Sequence, residues 1–223
     1  MKSLVFSFKK AKSGRRGIRR ITLSDLQYFF RRYGLRVMFT SVLLVGLVAG
    51  SICAQNSGEN LLKSLDFLFT TNLDARLAQN AVGTFCACFA SDFIFLFSVF
   101  LLGLTPWGVF VMPFVVLFKG FGTGLTAGYL FSIQQLGGVG FYLLVLLPGT
   151  FLFCIALVMF STNSFVFSKD MFVYTFGKYP PKQSMRMRAA SFCSHLMASL
   201  IMTFCASLLD TALWTLFAGA FNF

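Results

Sequence analysis

The chain has 223 residues, 57% of them hydrophobic and only 12% charged, with a mean hydropathy of +0.78. Soluble domains carry about 25% charged residues, so this low content, combined with long apolar runs, excludes a soluble globular fold. The net charge of +12 does not point to nucleic acid, because eleven of the nineteen Lys and Arg residues fall in the tail that ends at Arg36.

Residues 1–36 form a basic arm in which Asp25 is the one acidic residue. Ser24 is placed to cap a short helix whose Leu26, Phe29, Phe30 and Tyr33 share a face by helical spacing. That pattern fits a helix on the membrane surface with its basic side toward anionic lipid headgroups. A plain positive topology anchor accounts for the same charge.

The remainder, residues 37–223, reads as one membrane domain of five spans. The first covers about 37–54 and carries Gly46 and Gly50, four apart and so on one helix face. The basic stretch before it is longer than the 15–30 residues of a whole signal peptide, which predicts a retained anchor rather than a cleaved leader. Residues 55–80 are a nearly neutral polar loop. Within it Leu61, Leu65, Leu68 and Phe69 repeat at helical spacing and are expected to lie along the outer membrane surface, facing partners.

The second span, about 81–104, has Asp92 near its centre. Thr105-Pro106 then turns directly into a third span, about 107–131. Here Gly120, Gly124 and Gly128 recur every four residues and form a smooth face for close helix packing. Pro113 removes one helical hydrogen bond and predicts a bend. Lys119 lies mid-span, where a charge costs roughly 2.5–3.5 kcal/mol on insertion scales. Asp92 and Lys119 are each about 13 residues from the turn, roughly 20 Å along their helices at 1.5 Å per residue. Antiparallel neighbours with opposite charges at one depth predict an intramembrane ion pair.

A short loop at 132–136 is expected next, then a fourth span at about 137–160. Pro148-Gly149 interrupts that span and predicts a kink or local unwinding. A basic loop, 161–190, leads to the fifth span, about 190–217, which contains His195 and Asp210. His195 has no partner at metal-ligand spacing. Asp210 is an alternative partner for Lys119, disfavoured by its depth. The six cysteines form no CxxC pair and read as small buried hydrophobes. The 161–190 loop and the arm are basic while 55–80 is not, so the positive-inside rule places the N-terminus in the cytoplasm and the C-terminus outside. The fold class is an all-α integral membrane protein, a bundle of five transmembrane helices.

The run from Phe100 to Gly149 resembles the signature region of the stage II sporulation protein M family. The matching features are Gly103 before the hairpin turn, Leu117-Phe118-Lys119-Gly120 with small residues to Gly124, Gly128, Leu130-Phe131, and Leu147-Pro148. The resemblance implies a bacterial cell-membrane protein at the sporulation septum and engulfing membrane. It also implies a non-enzymatic scaffold that positions peptidoglycan hydrolases of the stage II sporulation D and P type during forespore engulfment. No Ser/His/Asp grouping, paired glutamates, metal cluster or phosphate loop stands in the sequence, so no catalytic residue, cofactor or metal is expected. Self-association through the glycine faces stays open. The competing reading is a transporter or permease component in which Lys119, Asp92 and the broken 148–149 region line a path.

Overall fold

A computed structural model describes residues 23–56, 80–176 and 185–217. The chain divides into two units, Met1–Gly34 and Leu35–Phe223. In the first unit the described residues, from Leu23 on, are helical. Ser24 therefore falls inside helix α1, which is Leu23–Asn56, rather than ahead of it as a cap. The rest of the arm and the predicted outer-loop residues Leu61, Leu65, Leu68 and Phe69 lie outside the described residues.

The second unit is built from the remainder of α1 and from α2 (Ala81–Gly103), α3 (Gly108–Phe141), α4 (Leu147–Phe176) and α5 (Met185–Phe217), with a π-helical turn, Tyr142–Leu146, joining α3 to α4. Five stretches are long and apolar enough to cross a membrane: Tyr33–Gln55, Ala81–Gly103, Gly108–Phe131, Gly138–Phe176 and Arg186–Phe217. Among the described residues no strand occurs. Helices and closed barrels are the structures that satisfy every backbone polar group in lipid, and apolar runs of this length select the helix.

The α2–α3 hairpin is closed tightly. Thr105 Oγ1 donates to the Leu102 carbonyl oxygen at 2.9 Å, and Ser168 Oγ on α4 reaches across to the Thr105 carbonyl oxygen at 2.6 Å. A Cβ at Gly108 would overlap the Leu102 carbonyl oxygen, so no larger residue fits this turn as built. Pro113 lies in the second turn of α3.

Two expectations about the connections are corrected. The segment expected as a loop at 132–136 has helical backbone, continuous with α3. The chain nevertheless reverses between Lys119 and Phe153. Lys119 and Phe153 are 34 residues apart, about 50 Å along a straight helix, yet Lys119 Nζ lies 4.8 Å from the Phe153 ring centroid. The expected basic loop at 161–190 is also mostly helix, because α4 continues to Phe176 and α5 starts at Met185. No Pro or Gly stands between Ser161 and Phe176 to stop α4, and Ser161, Ser164, Phe167 and Ser168 continue its buried face. The 39 residues from Gly138 to Phe176 rise about 58 Å, well beyond the ~30 Å hydrocarbon core. The α4–α5 pair, which is in extensive contact, thus projects past the membrane.

The main core runs through α1–α5, with Phe39, Leu96, Val99, Met112, Phe153 and Phe160 fully buried. Toward the projecting end it becomes an aromatic stack on Phe192, whose ring centroid lies 4.7 Å from Phe167, 5.5 Å from Phe100 and 5.6 Å from Phe160.

Candidate functional site

The glycine faces predicted separately on the first and third spans meet each other. A Cβ at Gly46 would strike the Leu117 carbonyl oxygen, and one at Gly50 the Phe121 carbonyl oxygen. From the other side, a Cβ at Gly120 would strike the Leu43 carbonyl oxygen and one at Gly124 that of Leu47. At Gly128 it would come within 2.8 Å of both Ser51 O and Ala54 Cβ. Backbone-to-backbone approach of this kind supplies dispersion and weak Cα–H···O contacts where lipid gives no hydrophobic drive. Its effect on the site is positional: α3 is pressed against α1 on one side, and its opposite face carries Lys119 into the bundle.

There Lys119 Nζ donates to Asp92 Oδ1 on α2 at 2.6 Å. The ammonium also lies 5.0 Å from the Phe95 ring centroid and 4.8 Å from that of Phe153, both rings being buried. One carboxylate and two aromatic faces therefore replace the water that the ammonium would otherwise keep. Asp92 is the central residue of Ala81–Gly103 and Lys119 lies at the middle of Gly108–Phe131. Both charges are thus at mid-span.

Around this pair is a polar cavity of about 50 Å³, lined by Ser91, Thr123, Thr126, Tyr142, Thr150 and Asp210 as well as the two ions. That is room for a few water molecules. Asp210 enters from α5, 92% buried, and accepts a hydrogen bond from Cys88 Sγ on α2 at 3.3 Å. By residue count Asp210 lies at a different depth from Lys119, but the structure brings it into the same cavity. Gly149 is the cause: a Cβ there would lie 2.8 Å from Asp210 Cβ and 3.1 Å from the Ala206 carbonyl oxygen, so α4 and α5 touch at backbone distance beside Asp210.

Three elements of the site escaped sequence reasoning. The hydroxyls of Thr123, Thr126 and Thr150 are quiet, because each donates to a carbonyl one turn back in its own helix. Tyr142 lines the cavity from the π-helical turn. The signal for that turn was Pro148, which cannot donate to the carbonyl of residue 144. The helix absorbs the gap by widening just upstream, with Leu147 N–H donating to the Tyr142 carbonyl oxygen, five residues back. The irregularity expected at 148–149 is therefore at 142–146.

The other candidate groups stand apart. His195 is exposed on α5, its Nδ1 2.7 Å from the Ser191 carbonyl oxygen. Arg188 pairs with Asp170 between α5 and α4. Cys86 is exposed while Cys88 is buried. Among the described residues no three His, Cys, Asp or Glu side chains gather as metal ligands.

Comparison with known protein families matches Stage II sporulation protein M over residues 38–214. This range takes in all five spans except the first residues of the first and the last of the fifth, and it contains every residue of the cavity. The chain belongs to the stage II sporulation protein M family. It is a sporulation-related multi-pass membrane protein, and the match begins after the basic arm. No curated protein and no solved structure matches the chain.

Proposed function

We propose that the chain is a non-enzymatic membrane scaffold that recruits and positions peptidoglycan-degrading partners during forespore engulfment. The carrying observation is the family match across all five spans. The interior supports the same reading. Lys119 is held by Asp92 and two rings, the space beside it is the size of a few waters, and α1 is sealed on α3 by glycine contacts. An interior of this kind fixes helix positions and leaves recruitment to surfaces outside the bundle. In this reading the N-terminus is cytoplasmic and the C-terminus extracytoplasmic, as the distribution of basic residues favours. The partners are hydrolases of the stage II sporulation D and P type, met at the septum and engulfing membrane, with the 55–80 segment as their docking site.

The test is affinity purification of the tagged protein, extracted from membranes of its own starved cells. Wall hydrolases in the eluate, lost when Leu61, Leu65, Leu68 and Phe69 are changed to Ser in a still-inserted protein, are the expected result. A transporter or permease component is the second reading, favoured by one observation: Asp92, Lys119 and Asp210 share a polar cavity at mid-span. Co-elution with an ATPase or a solute-binding protein, and loss of an ion flux in Lys119→Met, would establish it in place of the scaffold.

A further inference from the structure

A second, larger cavity opens on the outside of the bundle between α1, α3 and α4. It measures about 370 Å³, and its wall is almost entirely apolar. On α1 it extends from Arg36 through Leu43 to Leu47, and on α4 from Met159 back through Ile155 to Leu147. The eleven steps from Arg36 to Leu47 rise about 16 Å, close to half of the ~30 Å hydrocarbon core. The groove is therefore one leaflet deep. Its outer end carries Arg36, an exposed residue, and its inner end is formed by Thr123, Tyr142 and Thr150, which also line the ion-paired cavity.

We infer that this groove is a binding site for one anionic phospholipid, with the headgroup phosphate on Arg36 and one acyl chain lying along α1 and α4 to mid-span. The charge is on the correct end for such a ligand: a phosphodiester sits at the leaflet boundary and its chain runs inward. A guanidinium binds phosphate oxygens in bidentate fashion. The bundle contains its own comparison. A groove of about 450 Å³ between α2 and α3, lined by residues such as Ile94, Phe114 and Phe118, has no charged residue in its wall and is filled by whatever lipid surrounds it. The occupant of the α1–α3–α4 groove has a structural consequence, because its tail covers the lipid-facing wall of the cavity that holds Lys119 and Asp92. This inference is independent of the scaffold reading.

Native mass spectrometry of the full chain, released from detergent after incubation with either phosphatidylglycerol or phosphatidylcholine, tests it. Wild type is expected to retain one phosphatidylglycerol, in preference to phosphatidylcholine by about fivefold or more, the factor one basic residue supplies at a membrane surface. Arg36→Gln should lower that preference to near unity. Ile155→Trp, which fills the groove from a partly lipid-exposed position, should abolish retention of both lipids. Ile94→Trp, in the uncharged groove, should change neither. Equal retention of the two lipids by wild type, or retention unchanged in Arg36→Gln, overturns the inference, as does a cross-link from Ile155→Cys to a second copy or to another segment of this chain. Should Ile155→Trp fail to fold, the Arg36→Gln comparison decides alone.

Discussion

Lys119 on α3 and Asp92 on α2 meet at 2.6 Å, each at the middle of its span. Neither ion is tolerable in hydrocarbon by itself, and the energetics of the pair follow from that. Breaking a buried pair by removing one partner typically costs about 3–5 kcal/mol, because the other charge is left uncompensated. Lys119→Met should therefore lower thermal stability in detergent by about that amount. Asp92→Asn with Lys119→Met should recover part of it. The exchange of Asp92→Lys with Lys119→Asp should fold better than either single change, and if it does not, direct pairing is not what holds this hairpin together.

Gly46 and Gly124 should tolerate no side chain. A Cβ at either would overlap a carbonyl oxygen of the facing helix, and the backbone cannot yield as a flexible side chain can. Gly46→Leu or Gly124→Leu should separate α1 from α3, which cysteine cross-linking between the two helices would register as lost efficiency. Gly140 is the control. Nothing lies within 4 Å of a Cβ there, so Gly140→Ala should be neutral or stabilise its helix by up to about 1 kcal/mol.

Gly149→Val should act at a distance from its own helix. Its new Cβ would crowd Asp210 Cβ and the Ala206 carbonyl oxygen, pushing α5 off α4 and drawing Asp210 out of the cavity. The expected signature is loss of stability together with raised thiol reactivity of Cys88, which bonds Asp210. Unchanged Cys88 reactivity would show that Gly149 does not set the position of α5.

The Asp170–Arg188 pair should matter much less. Both side chains are 25% exposed and lie near the ends of α4 and α5, where solvent and salt screen them. Arg188→Ala should cost about 1 kcal/mol or less, and the difference from wild type should shrink at high salt in a thermal melt.

The sequence by itself determined the class and the number of spans, because crossing a bilayer is a one-dimensional requirement: enough consecutive apolar residues, read along the chain. It also determined which charges had to be reconciled, since Asp92 and Lys119 are symmetric about a turn that Thr105-Pro106 made unmistakable. The glycine faces were legible as faces. What only the tertiary structure decided was which surfaces meet. Gly46 and Gly50 could have packed on any helix, and they face Gly120 and Gly124 because α1 crosses α3 at backbone distance. Asp210 reached the cavity because α5 is pressed against Gly149, a contact that residue counting along α5 cannot contain. The helical backbone after Phe131 and the run of α4 to Phe176 were hidden for a related reason. Hydropathy marks where lipid begins and ends, and a helix held by a neighbour need not stop there.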